Sequence, residues 1–198
     1  RGISFFPAII STVAVGIVFT AILHPYGLLN QFFRALGLDF MAKNWLTDTK
    51  LALLSVCGVE IWKWSGFNMV IILAGLQAVP PEYQEAATID GANAWQTLWK
   101  VTIPNVMPSI TICTFLTLTN SFKLFDQNLA LTAGRPFIQN AGETVKTTEM
   151  LALNIYSSFY ASTTNRGVGQ AKAVIFFVLV AAISILQLSS SRKKEVQQ

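Results

Sequence analysis

Four long apolar stretches limit what this chain can fold into more than any other feature of its sequence. They lie at about residues 5–23, 51–76, 108–125 and 168–188. A helix that crosses the hydrocarbon core of a bilayer needs about 20 mostly apolar residues, because its backbone polar groups must be satisfied within the segment. Since 53% of the residues are hydrophobic and only 12% are charged, little polar surface is left to cover a soluble globule. The sequence therefore predicts an all-α, polytopic membrane protein with four transmembrane helices.

Ionisable residues interrupt the second predicted span. Glu60 and Lys63 lie three residues apart, on one side of a helix. Ionisable groups inside a membrane usually face the interior of a helix bundle, where they pair with each other or line a transport path. Both alternatives stay open for these two residues. Trp62 and Trp64 flank Lys63, and their rings suit stacking on a ligand as well as ordinary helix packing.

The flanks of the spans predict the orientation of the chain. Three basic residues follow the last span in a short tail at residues 191–198: Arg192, Lys193 and Lys194. Arg1 precedes the first span. Because basic residues collect on the cytoplasmic side of a membrane, we expect both ends in the cytoplasm, which an even number of spans allows. The chain starts with arginine rather than methionine and runs straight into an apolar stretch, so we also expect it to be part of a longer polypeptide.

The loop between the second and third spans, at about residues 80–104, has the pattern of two short helices. Pro80 and Pro81 end the preceding helix and suit the first turn of a new one. Small side chains then gather on one side of that helix: Ala86, Ala87, Asp90 and Gly91. A bulky stripe follows: Trp95, Leu98, Trp99 and Thr102. Gly91 separates the two textures, which predicts a hinge there. An ordinary amphipathic helix at the membrane surface is the alternative.

The spacing of this loop resembles the EAA loop of ABC importer permeases. Glu85-Ala86-Ala87 is followed by three residues, Gly91, nine residues and Val101-Thr102-Ile103-Pro104. The family has Ile and Leu where this chain has Val101 and Ile103, and both changes keep an aliphatic side chain. Ala74-Gly75-Leu76-Gln77 with Pro80, and Ile89-Asp90-Gly91-Ala92, resemble sugar permeases of the maltose and glycerol-phosphate type, and the resemblance extends from about Phe6 onward. Several later residues resemble the first of the two paired permeases: Phe125-Asp126-Gln127, Leu131-Thr132, Gly134, Pro136, Tyr156, Phe159, Gly167 and Ala171.

The resemblance implies an N-terminally truncated permease domain over residues 1–190 of a bacterial cell-membrane protein. Such a protein imports a sugar, an oligosaccharide or a related polyol by alternating access. The EAA loop would be a coupling helix in a groove of a separate ATPase, and Glu85 would form a salt bridge there. The residues carried over for coupling are Glu85, Ala86, Ala87, Asp90, Gly91, Val101, Ile103 and Pro104. The implied partners are a dimer of ATPase subunits that bind ATP and magnesium, a second related permease and an extracytoplasmic solute-binding protein.

The third span carries four hydroxyl groups on one helical face. They belong to Thr111, Thr114, Thr117 and Ser121, and Asn120 lies beside them. Such hydroxyls bind a polar ligand, or they bond back to their own helix or mediate helix packing, and the spacing alone leaves these alternatives open. In the sugar permeases that the chain resembles, this helix contacts the sugar, and Thr117 and Ser121 correspond best. The candidates for the substrate path are therefore Thr117, Asn120, Ser121, Glu60 and Trp64.

Several function classes lack their sequence signals. The chain has no GxxxxGK[ST] phosphate loop, GxSxG elbow or His/Glu metal constellation, so we expect no catalytic site, no metal site and no cofactor of its own. A net charge of +4 is too small and dispersed to indicate nucleic-acid binding. Cys57 and Cys113 lie in apolar stretches and are predicted to be small core residues. An ion-coupled secondary transporter and a structural membrane subunit stay as alternatives, although neither needs the EAA spacing.

Overall fold

The structure, a computed structural model, describes residues 2–140, 142–160 and 165–192. Its helices are α1 (Gly2–Ile9), α2 (Thr12–Ile22), α3 (Leu28–Ala35), α4 (Leu51–Gln77), α5 (Glu82–Ile89), α6 (Ala94–Thr97), α7 (Ile103–Phe122), α8 (Asp126–Leu131), α9 (Leu151–Tyr160) and α10 (Arg166–Arg192). Its strands, β1 (Phe137–Asn140) and β2 (Glu143–Lys146), form one antiparallel hairpin. The prediction of an all-α membrane protein is confirmed, while residues 193–198 of the predicted basic tail lie outside the described residues.

Three helices in the described part of the chain are long and apolar enough to cross a membrane: Leu51–Gln77, Ala94–Phe122 and Arg166–Ser191. The most apolar window of the last one has no buried residue. Because a helix that is apolar all round is stable only in an apolar environment, α10 is suited to contact lipid or another membrane helix over most of its surface.

The first predicted span, about residues 5–23, is not a single helix. It is divided into α1 and α2, and Ser11 at the division has an extended backbone with φ −51° and ψ 132°. The ammonium group of Lys63 from α4 reaches this division and donates a hydrogen bond to the Thr12 hydroxyl. A buried cation needs polar partners, and an interrupted helix offers hydroxyl and carbonyl oxygens that a continuous one keeps for itself. The prediction of one continuous span here was wrong.

Helix α4 is the centre of the packing. It contacts α1 on one side and α7 on the other, while α10 packs on α7 and α9, and α2 packs on α8. A small core of buried apolar side chains joins α2, α4 and α8: Val15, Leu23, Val56, Val59 and Leu131. The approach of α1 to α4 depends on Gly66, because a Cβ atom at this position would overlap the backbone carbonyl of Ser4. The missing side chain therefore allows the two helices to touch backbone to backbone.

The third span begins earlier than predicted. Helical structure is continuous from Ala94 to Phe122, through a π-helical segment at Leu98–Thr102 that leads into α7. Pro104 has no N–H to donate along the helix, and the wider π turn just before it accommodates this loss. The side-chain amide of Asn105 donates to the carbonyl of Val101 at 2.7 Å. The second half of the 80–104 loop is thus an extension of span three, not a separate short helix.

The segment between α2 and α4 is fixed by one buried amide. Asn30 in α3 donates to the carbonyls of Pro25 and Lys43, at 3.1 and 2.8 Å. Its side-chain oxygen accepts from the Lys43 N–H and from Trp45 Nε1. Every polar atom of the buried amide is satisfied, so the segment is held as a compact unit.

The segment between α7 and α10 contains the β1–β2 hairpin, which the sequence pattern did not predict. Glu149 follows the hairpin and accepts hydrogen bonds from Lys146, Asn154 and Ser157. Burial raises the pKa of this carboxyl, but the three hydrogen bonds and the Lys146 charge outweigh burial, so the pKa lies below its usual value. These contacts join the hairpin to α9.

Candidate functional site

A cavity of about 370 Å³ lies between α4 and α7. All five residues that the sequence predicts for the substrate path line it: Glu60, Trp64, Thr117, Asn120 and Ser121. Its size is within the range of small-molecule sites, roughly 300–1,000 Å³. The remaining wall is mostly apolar and includes Met150, from the segment that precedes α9. A mostly apolar cavity with a few convergent polar groups is typical of a ligand site.

The α4 wall presents three polar or aromatic side chains at intervals of four residues. Glu60, Trp64 and Asn68 occupy one helical face, and all three line the cavity. The Trp64 ring makes an edge-to-face contact with Phe67, with ring centroids 5.6 Å apart. Sequence reasoning missed Asn68. The interval from Glu60 through Trp64 could have found it, since the same step of four continues to this amide.

The hydroxyl groups of the α7 stripe differ in their hydrogen-bond partners within the protein. Thr114 and Ser121 donate back to the carbonyls of Ile110 and Thr117, at 2.8 and 2.7 Å. Thr117 instead accepts a hydrogen bond across the cavity from Asn68, at 3.3 Å. Thr111 is buried and does not line the cavity. The stripe therefore divides, and Thr117 is the hydroxyl whose bond links the two helices.

Glu60 and Lys63 do not form the direct ion pair that was one of the two predicted alternatives. No contact within 4.0 Å joins their charged groups, because the residues leave α4 in different directions. Lys63 is only 2% exposed and points to Thr12, whereas Glu60 points into the cavity. A spacing of three residues puts two side chains near each other but does not fix which neighbouring helix each one meets. Lys123 and Asp126, also three apart, lack such a contact as well.

The two cysteines have different environments. Cys113 is buried, as predicted, and its thiol approaches the carbonyl of Asn68 at 3.7 Å. Cys57 is exposed and lines the cavity, so its prediction as a core residue was wrong. Cys57 lies three residues before Glu60, on the face of α4 that lines the cavity and does not pack in the core. In the described ranges, no group of three or more His, Cys, Asp or Glu side chains could hold a metal ion.

The segment from α5 to α6 forms a sharp elbow around Gly91, which has φ +77°. The Gly91 N–H donates to the carbonyl of Thr88, and the Ala92 N–H donates to that of Ala87. This pair of bonds is a Schellman motif, which ends a helix with a left-handed residue. Asn93 and Gln96 then form a capping box that starts α6. The elbow is therefore shaped mainly by backbone hydrogen bonds and one capping pair.

Most side chains of this elbow are exposed to solvent. Its charged residues Glu85 and Asp90 are exposed, and so is Ala86. Large apolar side chains are also exposed, with Ile89 at 86% and Trp95 at 67%. Ala87, also among the residues carried over for coupling, is 8% exposed. The turn brings α6 and the π-helical segment back against α5.

The last three coupling residues predicted from the sequence lie where the elbow enters the membrane helix. Val101 belongs to the π-helical segment, and Ile103 and Pro104 begin α7. All three are partly buried. They connect the exposed elbow, without a break in helical structure, to the helix that carries Thr117 and Asn120. The segment after the elbow and the α7 wall of the cavity thus belong to one continuous stretch of helical structure.

Comparisons with known proteins show the family of the chain. Residues 1–196 match the family described as binding-protein-dependent transport system inner membrane component. The chain is 43% identical over 154 residues to the probable starch degradation products transport system permease protein AmyD of Thermoanaerobacterium thermosulfurigenes, covering 78% of this chain and 50% of the relative. It is 35% identical to the multiple sugar-binding transport system permease protein MsmF of Streptococcus mutans, covering 97% of this chain and 62% of the relative.

A solved structure shares the fold. It is a bacterial ABC transporter involved in the import of the acidic polysaccharide alginate, with a TM-score of 0.80 and 24% sequence identity. The match covers 96% of this chain and 64% of that one. The chain therefore spans between half and two thirds of the length of these relatives. It belongs to the family of inner-membrane components of binding-protein-dependent transport systems.

Proposed function

We propose that this chain is part of a permease subunit that imports a sugar, an oligosaccharide or a related polyol through the bacterial cell membrane by alternating access. The observation that carries the proposal is the cavity between α4 and α7, where five residues predicted from the sequence meet inside a member of this transport family. A separate ATPase dimer supplies ATP hydrolysis and binds ATP and magnesium. A solute-binding protein delivers the substrate, and a second, related permease completes the path, with this chain as the first of the two.

The chemistry of the cavity suits a sugar. A sugar ring has an apolar face that stacks on an aromatic ring, and Trp64 supplies such a ring in the wall. Its hydroxyl groups both donate and accept hydrogen bonds, and amide groups do the same. Asn68 and Asn120 provide two amides in the cavity, and Thr117 adds a hydroxyl. The proteins AmyD and MsmF, whose names refer to starch degradation products and multiple sugars, support this substrate class.

The elbow is the proposed coupling element. Its exposed apolar side chains, Ile89 and Trp95 among them, are suited to burial against another protein. Glu85 in the first turn of α5 is exposed and can pair with a basic residue of the ATPase, which fixes the register of docking. With α1 and α2 together forming the fourth crossing of the membrane, both ends of the chain lie in the cytoplasm, and the elbow lies on the same side as the ATPase. Closure of the ATPase dimer would then move α7 through the continuous helix.

The substrate role of the cavity is tested by a pair of threonine variants. Thr117→Val removes the hydroxyl that accepts from Asn68, and Thr119→Val is the control, because Thr119 bonds back to Phe115 and does not line the cavity. We expect the first change to raise the half-saturation concentration for uptake about tenfold and the second to leave it unchanged. The measurement is ATP-driven sugar uptake by the full-length transporter in proteoliposomes. Equal behaviour of the two variants would contradict the site, and uptake without ATP would indicate an ion-coupled carrier.

The coupling role is tested on two glutamates in the same helical turn. Both Glu82 and Glu85 are exposed in the first turn of α5. We expect Glu85→Ala to reduce copurification of the ATPase and sugar-stimulated ATP hydrolysis, while Glu82→Ala retains both. The proposal would be wrong if Glu85→Ala behaved like the wild type in the two assays.

A further inference from the structure

Among the described residues that line the cavity, one carries a charge, and it is an acid. Glu60 lies at the middle of α4, and its Oε2 atom is buried without a hydrogen-bond partner in the described part of the chain. A buried acceptor without a hydrogen-bond partner favours a ligand that donates a hydrogen bond to it. The unsatisfied atom thus indicates the chemistry of what occupies the cavity.

The charge of Glu60 is not cancelled by a direct contact. The nearest basic residue along the helix, Lys63, is turned toward Thr12 and does not line the cavity. The groups on the facing wall are neutral, since Thr117, Asn120 and Ser121 carry hydroxyls and an amide. Any ligand in the cavity therefore meets a carboxylate together with neutral hydrogen-bonding groups.

Neutral and acidic sugars differ sharply in this environment. A neutral sugar has several hydroxyl donors for a carboxylate oxygen, and hydrogen bonds to charged groups are among the stronger ones. A uronic acid replaces one hydroxymethyl group by a carboxylate, which accepts but does not donate. Two like charges brought together in a mostly apolar cavity repel each other strongly, because little water screens them.

We infer that Glu60 makes this cavity selective for uncharged, hydroxyl-rich ligands and excludes uronate-containing ones. The inference rests on the proposed function of the cavity and narrows its substrate class. The chain shares its fold with an importer of the acidic polysaccharide alginate, so the selectivity is a property of this side chain and not of the fold.

The test compares two ligands that differ only at C6, where one has hydroxymethyl groups and the other has carboxylates. The probes are β-1,4-linked mannotriose and the β-1,4-linked trimer of mannuronate, its counterpart with a carboxylate at each C6. Binding is measured by calorimetry on the full-length permease, purified with the subunits that copurify with it and without a solute-binding protein. We expect the wild type to bind the neutral trisaccharide at least tenfold more tightly than the acidic one.

Three variants make the inference falsifiable. Glu60→Gln keeps the shape and removes the charge, so the neutral-to-acidic affinity ratio should fall about tenfold. Glu60→Asp keeps the charge, and Cys57→Ala changes an uncharged residue of the same wall, so both should retain the ratio. An unchanged ratio in Glu60→Gln, with saturable binding, would overturn this inference alone. If neither trisaccharide bound the wild type, the cavity would not be a saccharide site, and the proposed function would fail with it.

Discussion

The left-handed residue in the elbow allows a quantitative test of how the coupling segment is held. Gly91 has φ +77°, and a Cβ atom there would meet no other atom within 4 Å. Replacement by alanine therefore adds no clash, and its cost is the backbone strain of an L-residue in this region, roughly 1–2 kcal/mol. Alanine also restricts the unfolded segment, which returns about 0.4–1 kcal/mol. The net loss is about 1 kcal/mol, or about fivefold in the local equilibrium between closed and open elbow.

A matched position exists elsewhere in the chain. Gly37, after α3, has φ +71° and likewise no atom within 4 Å of an added Cβ. It ends its helix with the same pair of bonds, from Gly37 to the carbonyl of Arg34 and from Leu38 to that of Phe33. Gly37→Ala therefore imposes the same backbone cost outside the coupling segment.

Hydrogen–deuterium exchange of the full-length transporter measures both changes. We expect Gly91→Ala to speed exchange about fivefold at residues 88–93 only, and Gly37→Ala to do so at residues 34–38 only. Gly91→Asn should have a smaller effect, since asparagine tolerates left-handed backbone better. ATP-driven uptake should fall in Gly91→Ala and not in Gly37→Ala. Unchanged exchange in Gly91→Ala would refute the strain argument, and faster exchange with normal uptake would refute the role of the elbow in coupling.

Three further predictions concern stability, each measured by thermal unfolding of the purified chain in detergent. Gly66→Ala should destabilise the contact of α1 with α4 by about 1–3 kcal/mol, while Gly58→Ala, where a Cβ meets nothing within 4 Å, should not destabilise; equal effects would contradict the contact. Asn30→Ala should cost about 1–3 kcal/mol because the Trp45 and Lys43 N–H groups lose their acceptor, and a neutral result would show that water replaces it. The pKa of Glu149 is lower in the folded chain than its usual value of 4.5, so its stabilising contribution is present above that value and is lost as the pH falls through the folded pKa. The unfolding temperature should therefore decrease when the pH is lowered below about 4.5. Glu149→Gln should make this decrease smaller.

Helical periodicity was a better guide to the residues that line the cavity than to the pairing of Glu60 with Lys63. Glu60 and Trp64 are four residues apart, and a spacing of four keeps two side chains on one face whatever surrounds the helix. The same reasoning extended to Thr117 on the facing helix, and the structure brings all three residues to one cavity. Periodicity alone does not show which helix covers a given face, so the pattern could not foresee that Lys63 would turn to Thr12.

The break in the first span and the β1–β2 hairpin could not be predicted either, because neither has a distinctive pattern in the local sequence. Residues 5–23 carry no charge, and the lysine that bonds to Thr12 at the interruption comes from another helix, far away in the sequence. The β1–β2 strands are four residues each, with exposed side chains along most of their length, so no alternating pattern marks them. Gly91, by contrast, was predictable as a hinge, because a glycine between two helical patterns is a local signal.

The position of Cys57 allows occupancy of the cavity to be measured by chemical modification of its thiol. Of the two thiols in the sequence, this one opens into the cavity, while that of Cys113 is buried in the helix packing. A maleimide that alkylates Cys57 would compete directly with whatever fills the cavity, and Cys113 would serve as the unreactive reference in the same molecule. Occupancy of the cavity could then be followed by mass spectrometry in unmodified transporter, including inside intact cells, before its ligand has been identified.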